Sequence, residues 1–107
     1  GEITDAMLPT IEQLKKIGFD GVEVPVFNLD LDYKKLGQQL DSLGLQRTAV
    51  TVRNLEDNPI SPDANARAKG VELNKKTLDC CAALGAQTLV GPYHSAIGHF
   101  SGNMRTP

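Results

Sequence analysis

The sequence predicts an α/β fold, a partial (β/α)8 TIM barrel with parallel strands in the order α-β-α-β-α-β. Three observations carry that reading. Apolar residues recur at three- and four-residue steps in three stretches, and three short β-branched runs alternate with them. Glycine closes each of the helical stretches. The 107 residues offer only three strands, whereas a closed barrel needs eight strands and about 250 residues. A flavodoxin-type open sheet, the alternative, normally has about five strands, again more than are present.

The first helix is expected from about Ala6 to Ile17, where Met7, Leu8, Ile11, Leu14 and Ile17 form a stripe. Asp5 is placed to cap it, Pro9 belongs in or near its first turn, and Gly18 follows it. Gly21–Val26 reads as a strand, with Pro25 near its end because proline cannot donate to a ladder. Asn28–Asp32 is a loop with capping candidates. The second helix is expected from about Tyr33 to Leu43, with Leu36, Leu40 and Leu43 on one face and Gly44 at its end.

Arg47–Val52 reads as the second strand, followed by a polar loop from Arg53 to Ile60. Ser61-Pro62-Asp63 suggests an N-cap with proline at the first helical position. The third helix then runs to Leu84, with Val71, Leu78, Cys81 and Leu84 as inward candidates and Gly85 closing it. Gln87–Gly91 is the third strand, and Pro92–Pro107 is an irregular tail.

Parallel sheets are buried on both faces, so three strands with three helices leave edges open. A single partial domain spanning residues 1–107, cut from a larger barrel, is the expected organisation, and Gly1-Glu2-Ile3 reads as mid-sequence or as a trimmed end.

With 11 Lys+Arg against 13 Asp+Glu, the net charge is −2, which gives no basic footprint for nucleic acid or an anionic membrane. The apolar runs are too short to span a bilayer. The adjacent Cys80 and Cys81 point in different directions on a helix and do not staple the fold. A reducing cytoplasm is therefore expected, with at least one thiol acting as a small buried residue.

The stretches Lys16-Ile17-Gly18-Phe19-Asp20-Gly21-Val22-Glu23-Val24-Pro25, Asn58-Pro59-Ile60-Ser61-Pro62-Asp63 through Arg67, Leu84-Gly85-Ala86 and Gly91-Pro92-Tyr93-His94-Ser95 resemble the xylose-isomerase-like barrels, nearest the D-tagatose and D-psicose 3-epimerase branch. The resemblance covers nearly the whole chain. The glycine-flanked turn and strand around Glu23 is general to the superfamily; the stretches around Asn58 and His94 are more particular. The resemblance places the chain from helix one to strand four of such a barrel. It implies a metal-dependent sugar isomerase or epimerase acting on a ketose or related sugar by proton transfer beside the carbonyl, with manganese or cobalt held by two glutamates, an aspartate and a histidine. Those ligands belong to later strands of the family. No metal bound by this chain alone, and no catalytic residue within it, is expected.

Four residues are substrate-binding candidates. Glu23 shares a strand face with Gly21 and Pro25, opposite Val22, Val24 and Val26, and should face the barrel interior. It reads either as a pocket carboxylate or, more in keeping with a packed barrel interior, as a structural partner of a neighbouring Arg or Lys. Phe27 ends its strand at the rim and could wall a sugar pocket or cap the core. Arg53, at the same rim, could meet a phosphate or carboxylate, with a solvated loop arginine the blander reading. His94 follows the third strand at its C-terminal end, where barrels place their sites. It could contact substrate or simply pack in its loop. His99 reads as solvated, and two histidines without a carboxylate at a set spacing do not specify zinc. Asp57, Asp63 and Arg67 read as loop and helix-start charges.

Within the same fold, an inosose dehydratase or hydroxypyruvate isomerase is the alternative chemistry; relatives of endonuclease IV are disfavoured by the acidic balance. From another class, the chain could be a non-catalytic α/β module that pairs its open strands with itself. The expected partners are a small sugar and further copies of the chain, with neither nucleic acid nor membrane.

Overall fold

The structure, a computed structural model, describes residues 2–102. It contains helices α1 (Leu8–Lys16), α2 (Tyr33–Ser42) and α3 (Ala64–Leu84), and strands β1 (Gly21–Pro25), β2 (Gln46–Val50) and β3 (Leu89–Val90). Single 3₁₀ turns at Asp5–Met7 and Leu55–Asp57 complete the order. The expected alternation of helix and strand is therefore present. Residues 103–107, part of the expected irregular tail, lie outside the described residues.

The three strands form one parallel sheet in the order β1-β2-β3. Val24 lies opposite Ala49, which lies opposite Leu89. Because side chains alternate along each strand, this register sorts them into two sets. Val22, Val24 and Val26 share one face with Arg47, Ala49 and Thr51, and this face meets the helices. Ile11 of α1, Tyr33, Leu36 and Leu40 of α2, and Cys81 and Leu84 of α3 complete a single apolar cluster there. The opposite face carries Glu23, Thr48, Val50 and Val90, and no described element covers it. Glu23 and Val90 are exposed. Nor does any described strand pair with the outer edge of β1 or β3.

The helix boundaries follow from their caps. Asp32 accepts from the Lys35 amide (2.9 Å) and starts α2. Pro9 sits in the first turn of α1, where its missing donor costs nothing. Asp5, expected to cap α1, instead accepts from Lys35 (3.4 Å) and Gln39 (3.3 Å) on α2, and the 3₁₀ turn it opens displaces the start of α1 to Leu8. These contacts hold the Asp5 carboxyl below its usual range, the Gln39 hydrogen bond first among the causes. The third helix likewise begins two residues later than expected. Asp63 is its N-cap, accepting from the Asn65 amide (3.0 Å), while Ser61 accepts from the Asp63 amide (3.1 Å). Gly85 ends α3 in the left-handed region, with φ of 78°, a conformation open to glycine at little cost.

The buried face of α3 also differs from expectation. Ala66, Gly70, Thr77, Cys81 and Leu84 are buried, whereas Val71 and Leu78 are exposed. The physical reason is close approach. A Cβ on Gly70 would lie 2.3 Å from the Asp57 carbonyl oxygen, and one on Gly37 of α2 would lie 2.6 Å from that of Leu84. Backbone can come this near only along a stripe of small residues, so the stripe rather than the bulkiest apolar residues chooses the face. No helix among the described residues is long and apolar enough to cross a membrane.

The two faces of α3 should respond differently to truncation. Leu84→Ala, at a site 1% exposed, is expected to lower stability by about 2–5 kcal/mol. Leu78→Ala, at a site 57% exposed, should change it by less than about 0.5 kcal/mol. Urea denaturation of the purified variants measures both; equal losses would contradict the assigned face.

Candidate functional site

The C-terminal ends of β1 and β2 each continue into a loop, and side-chain bonds tie these loops together. The buried Thr51 hydroxyl donates to the Val26 carbonyl (3.0 Å), joining the two strand ends. Phe27, the next residue, falls on the opposite parity and stands half exposed at the rim. Behind it the Tyr33 hydroxyl donates to the Asn28 carbonyl (2.7 Å). Burial pushes the Tyr33 phenol up to about 12, with negative charge at Cys80 and Glu2 adding to the effect.

Arg53 continues the parity of Arg47, Ala49 and Thr51, so its side chain enters the layer between sheet and α3. It is neither a solvated loop arginine nor a free rim cation. Its Nε donates to Asn74 Oδ1 (2.8 Å), and its Nη2 donates to the hydroxyls of Thr77 (2.8 Å) and Thr51 (3.3 Å). Nη1 stands 4.0 Å from Asp57 Oδ2; the two side chains are 7% and 10% exposed. Burial pulls the Arg53 guanidinium below its ordinary value, and the Asp57 carboxylate partly offsets that pull. Asp57 is therefore more than a solvated loop charge. Its other oxygen accepts from the Asn54 amide and closes the turn.

The loop after β3 is drawn into the same cluster. Arg53 donates its amide to the Pro92 carbonyl (3.1 Å) and accepts from the Ile97 amide (2.8 Å). Asn58 Oδ1 accepts from the Ala96 amide (3.2 Å). Gly91 permits the turn, since a Cβ there would lie 2.1 Å from the Thr51 carbonyl oxygen.

The loops after β1 and β2, with α3, line an open cleft of about 660 Å³ whose walls include Phe27, Asn28, Asp30, Arg53, Asp57 and Lys76. One aromatic wall, both signs of charge and an amide suit a small ligand rich in hydroxyl groups, which donate and accept at once. Two of the four sequence candidates, Phe27 and Arg53, thus come together. Glu23 lies elsewhere, on the uncovered sheet face opposite Thr48. His94 is exposed in the loop after β3 and does not line the cleft. His99 is exposed as well. Arg67 donates to the carbonyls of Ser61 (2.8 Å) and Pro62 (3.0 Å), a helix-start role.

The residues that sequence reasoning missed are Asn74, Thr77, Thr51 and Asn58. Thr77 was accessible in principle, since Gly70, Thr77 and Leu84 repeat at seven residues on the inward stripe of α3. Asn58 opens one of the stretches that carry the family resemblance, but its partner was not legible, because loop geometry alone aims its oxygen at Ala96.

The sequence matches the xylose isomerase-like TIM barrel family over residues 11–104. The chain belongs to this family. No curated protein matches it. Among solved structures, it resembles D-allulose 3-epimerase from Methylomonas sp. with a TM-score of 0.82 and 25% identity, over 94% of this chain and 36% of that one. A D-psicose 3-epimerase gives 0.78 and 28% over the same shares. An L-ribulose 3-epimerase, 23% identical, shares the fold at a TM-score of 0.83, over 95% of this chain and 35% of that one. The chain thus spans about a third of the length of these structures. In TIM barrels the loops at the C-terminal ends of the strands build the active site, and the cleft sits at that end.

A divalent metal is implied by the family resemblance. Among the described residues no group of three or more His, Cys, Asp or Glu gathers so as to hold one. The described residues by themselves do not fit a divalent metal. Cys80 and Cys81 are free thiols whose ionisation burial pushes up, which makes them poor nucleophiles.

Two outcomes follow from the cluster. Arg53→Met strands the buried Asp57 carboxylate and should cost about 3–5 kcal/mol in urea denaturation. Arg53→Lys should recover only part, because an ammonium lacks the planar fork that reaches Asn74 and Thr77 together. Separately, the folded state holds the Tyr33 proton more tightly than the unfolded chain. Its contribution is full below pH 10 and is lost as pH rises towards about 12. Tyr33→Phe should flatten that stretch of the stability–pH curve; an unchanged slope would exclude the assignment.

Proposed function

We propose that the chain is one partial domain, residues 1–107, of a sugar isomerase or epimerase that moves a proton beside the carbonyl of a ketose or related sugar. The observation that carries this reading is the superposition of 94% of the chain on a D-allulose 3-epimerase, with the polar cleft at the strand ends where TIM barrels act. Phe27 offers an apolar wall for a sugar ring face. In this reading Glu23, on the uncovered sheet face, and His94, in the loop after β3, stand outside the cleft and meet the sugar from those sides. Arg53 shapes the cleft from behind, its guanidinium already committed to Asn74, Thr51 and Thr77. The proton-moving carboxylates and a divalent metal, Mn or Co, belong in this reading to other strands of the barrel. A small sugar in a reducing cytoplasm is the proposed setting; the net charge of −2 speaks against a nucleic-acid partner.

A second reading has its own observation. The outer edges of β1 and β3 carry no described partner, and such edges pair with other chains. Self-association through them makes the chain a homo-oligomer. A discrete assembly on a sizing column supports it, and soluble aggregate argues for an incomplete barrel instead.

The enzymatic reading has a direct test. This chain alone should be inactive, whereas a longer protein carrying the remaining strands of the barrel should interconvert C3 ketose epimers with Mn²⁺ or Co²⁺ and stop in EDTA. Phe27→Ala and His94→Ala should each lower kcat/KM by about tenfold, the worth of roughly 1.4 kcal/mol. Turnover indifferent to EDTA would overturn the metal-dependent reading. Variants as active as the parent would remove Phe27 and His94 from the site.

A further inference from the structure

We infer that Asn74, clamped by Arg53, is a positioning residue that fixes the loop presenting His94; the inference rests on the reading of His94 as a sugar contact. Asn74 lies in the third turn of α3, far in sequence from that loop, and bonds in two directions. Its Oδ1 accepts from Arg53 Nε (2.8 Å), and its Nδ2 donates to the Tyr93 carbonyl (3.0 Å). Both ends of an amide side chain are thereby used, which fixes its orientation. A side chain serving only to satisfy Arg53 would have no need of the second bond.

Beside local bonds to Gly91 and His99, the Tyr93 bond is one of four among the described residues that tie residues 92–97 to α3 and to the loop after β2. The Pro92 carbonyl accepts from the Arg53 amide (3.1 Å), the Ile97 amide donates to the Arg53 carbonyl (2.8 Å), and the Ala96 amide donates to Asn58 Oδ1 (3.2 Å). Two anchors precede His94-Ser95 and two follow it. The peptide is pinned on both sides while the imidazole stands exposed. Backbone pairing supplies the Pro92 and Ile97 anchors, which any sequence could make. The anchor beside His94 depends on Asn74, and Asn74 is oriented by the guanidinium of Arg53, whose side chain is only 7% exposed. The arrangement is that of a support holding a functional residue on otherwise irregular chain.

Asn74→Asp separates the two bonds. A carboxylate still accepts from Arg53 but cannot donate to the Tyr93 carbonyl. In the intact protein, the Ala96 and Ile97 amides should exchange with deuterium about fivefold faster, the effect of losing one hydrogen bond, with the denaturation midpoint little changed. The dissociation constant for D-allulose should rise by a similar factor. Asn74→Ala removes both bonds without adding charge and gives the same two readings if the aspartate variant does not fold. Unchanged exchange at Ala96 and Ile97 in a folded variant overturns the inference. His94→Ala is the separate check: it should weaken D-allulose binding with exchange unaltered. If it leaves binding intact, the sugar-contact reading of His94 fails, and with it the claim that Asn74 positions a substrate residue.

Discussion

The two-residue alternation of β2 is the constraint on which the rest depends. Once β2 pairs in register with β1 and β3, every second side chain is committed to the helix layer and the others to the opposite face. Arg47, Ala49, Thr51 and Arg53 go one way, Thr48 and Val50 the other. Two arginines are thus driven towards the core side, where a guanidinium is costly unless bonded. Each finds partners: Arg47 donates to the Gly37 carbonyl and to Asp41, and Arg53 to Asn74, Thr51 and Thr77. The Nε of Arg47 remains buried without a partner, the one such side-chain atom among the described residues. A slip of one residue would send both charges to the bare face and bring Thr48 and Val50 against the helices.

The same commitment shapes the candidate site. A free arginine at the rim would attract anions; a buried one builds walls. Arg53 holds α3 to the end of β2, and through Asn74 and its own backbone it gathers the loop after β3. The cleft lies beside this cluster, with Arg53 and Asp57 in its wall alongside Phe27 and Asn28 from the loop after β1 and Leu73 and Lys76 from α3. Asp57 and Asn58 extend the cluster into the loop that leads to α3. This is a different use of polar residues from catalysis, and it comes earlier in the causal chain. Geometry at a rim is set by what lies beneath it.

Membership of the xylose isomerase-like TIM barrel family accounts for the asymmetry between the two sheet faces. The helix face is closed by an apolar cluster from Ile11 to Leu84, whereas Glu23, Thr48, Val50 and Val90 face outward from an uncovered surface. In a closed barrel such residues turn towards the axis and pack in layers. Exposed Val71 and Leu78 on α3 show the same pattern on the outer layer, apolar side chains with no described neighbour to cover them.

The sequence by itself determined the α-β alternation, the parallel fold class and the glycine stops, because these follow from local periodicity and from which residues tolerate positive φ; Gly18, Gly44 and Gly85 all adopt it. It also placed Phe27 at the rim and Glu23 away from the valines, since strand parity is readable one strand at a time. What only the tertiary structure decided was which partners those parities meet. Asp5 could cap its own helix or reach α2, and spatial proximity to Lys35 and Gln39 settled it. The inward face of α3 was set by how near Gly70 and Gly37 let backbones come, a property invisible to a count of apolar residues. Arg53 became a buried keystone because Thr77 and Asn74, more than twenty residues away, arrive beneath it. Periodicity is a property of one segment, but the satisfaction of a buried charge is a property of several, and only folding brings those together.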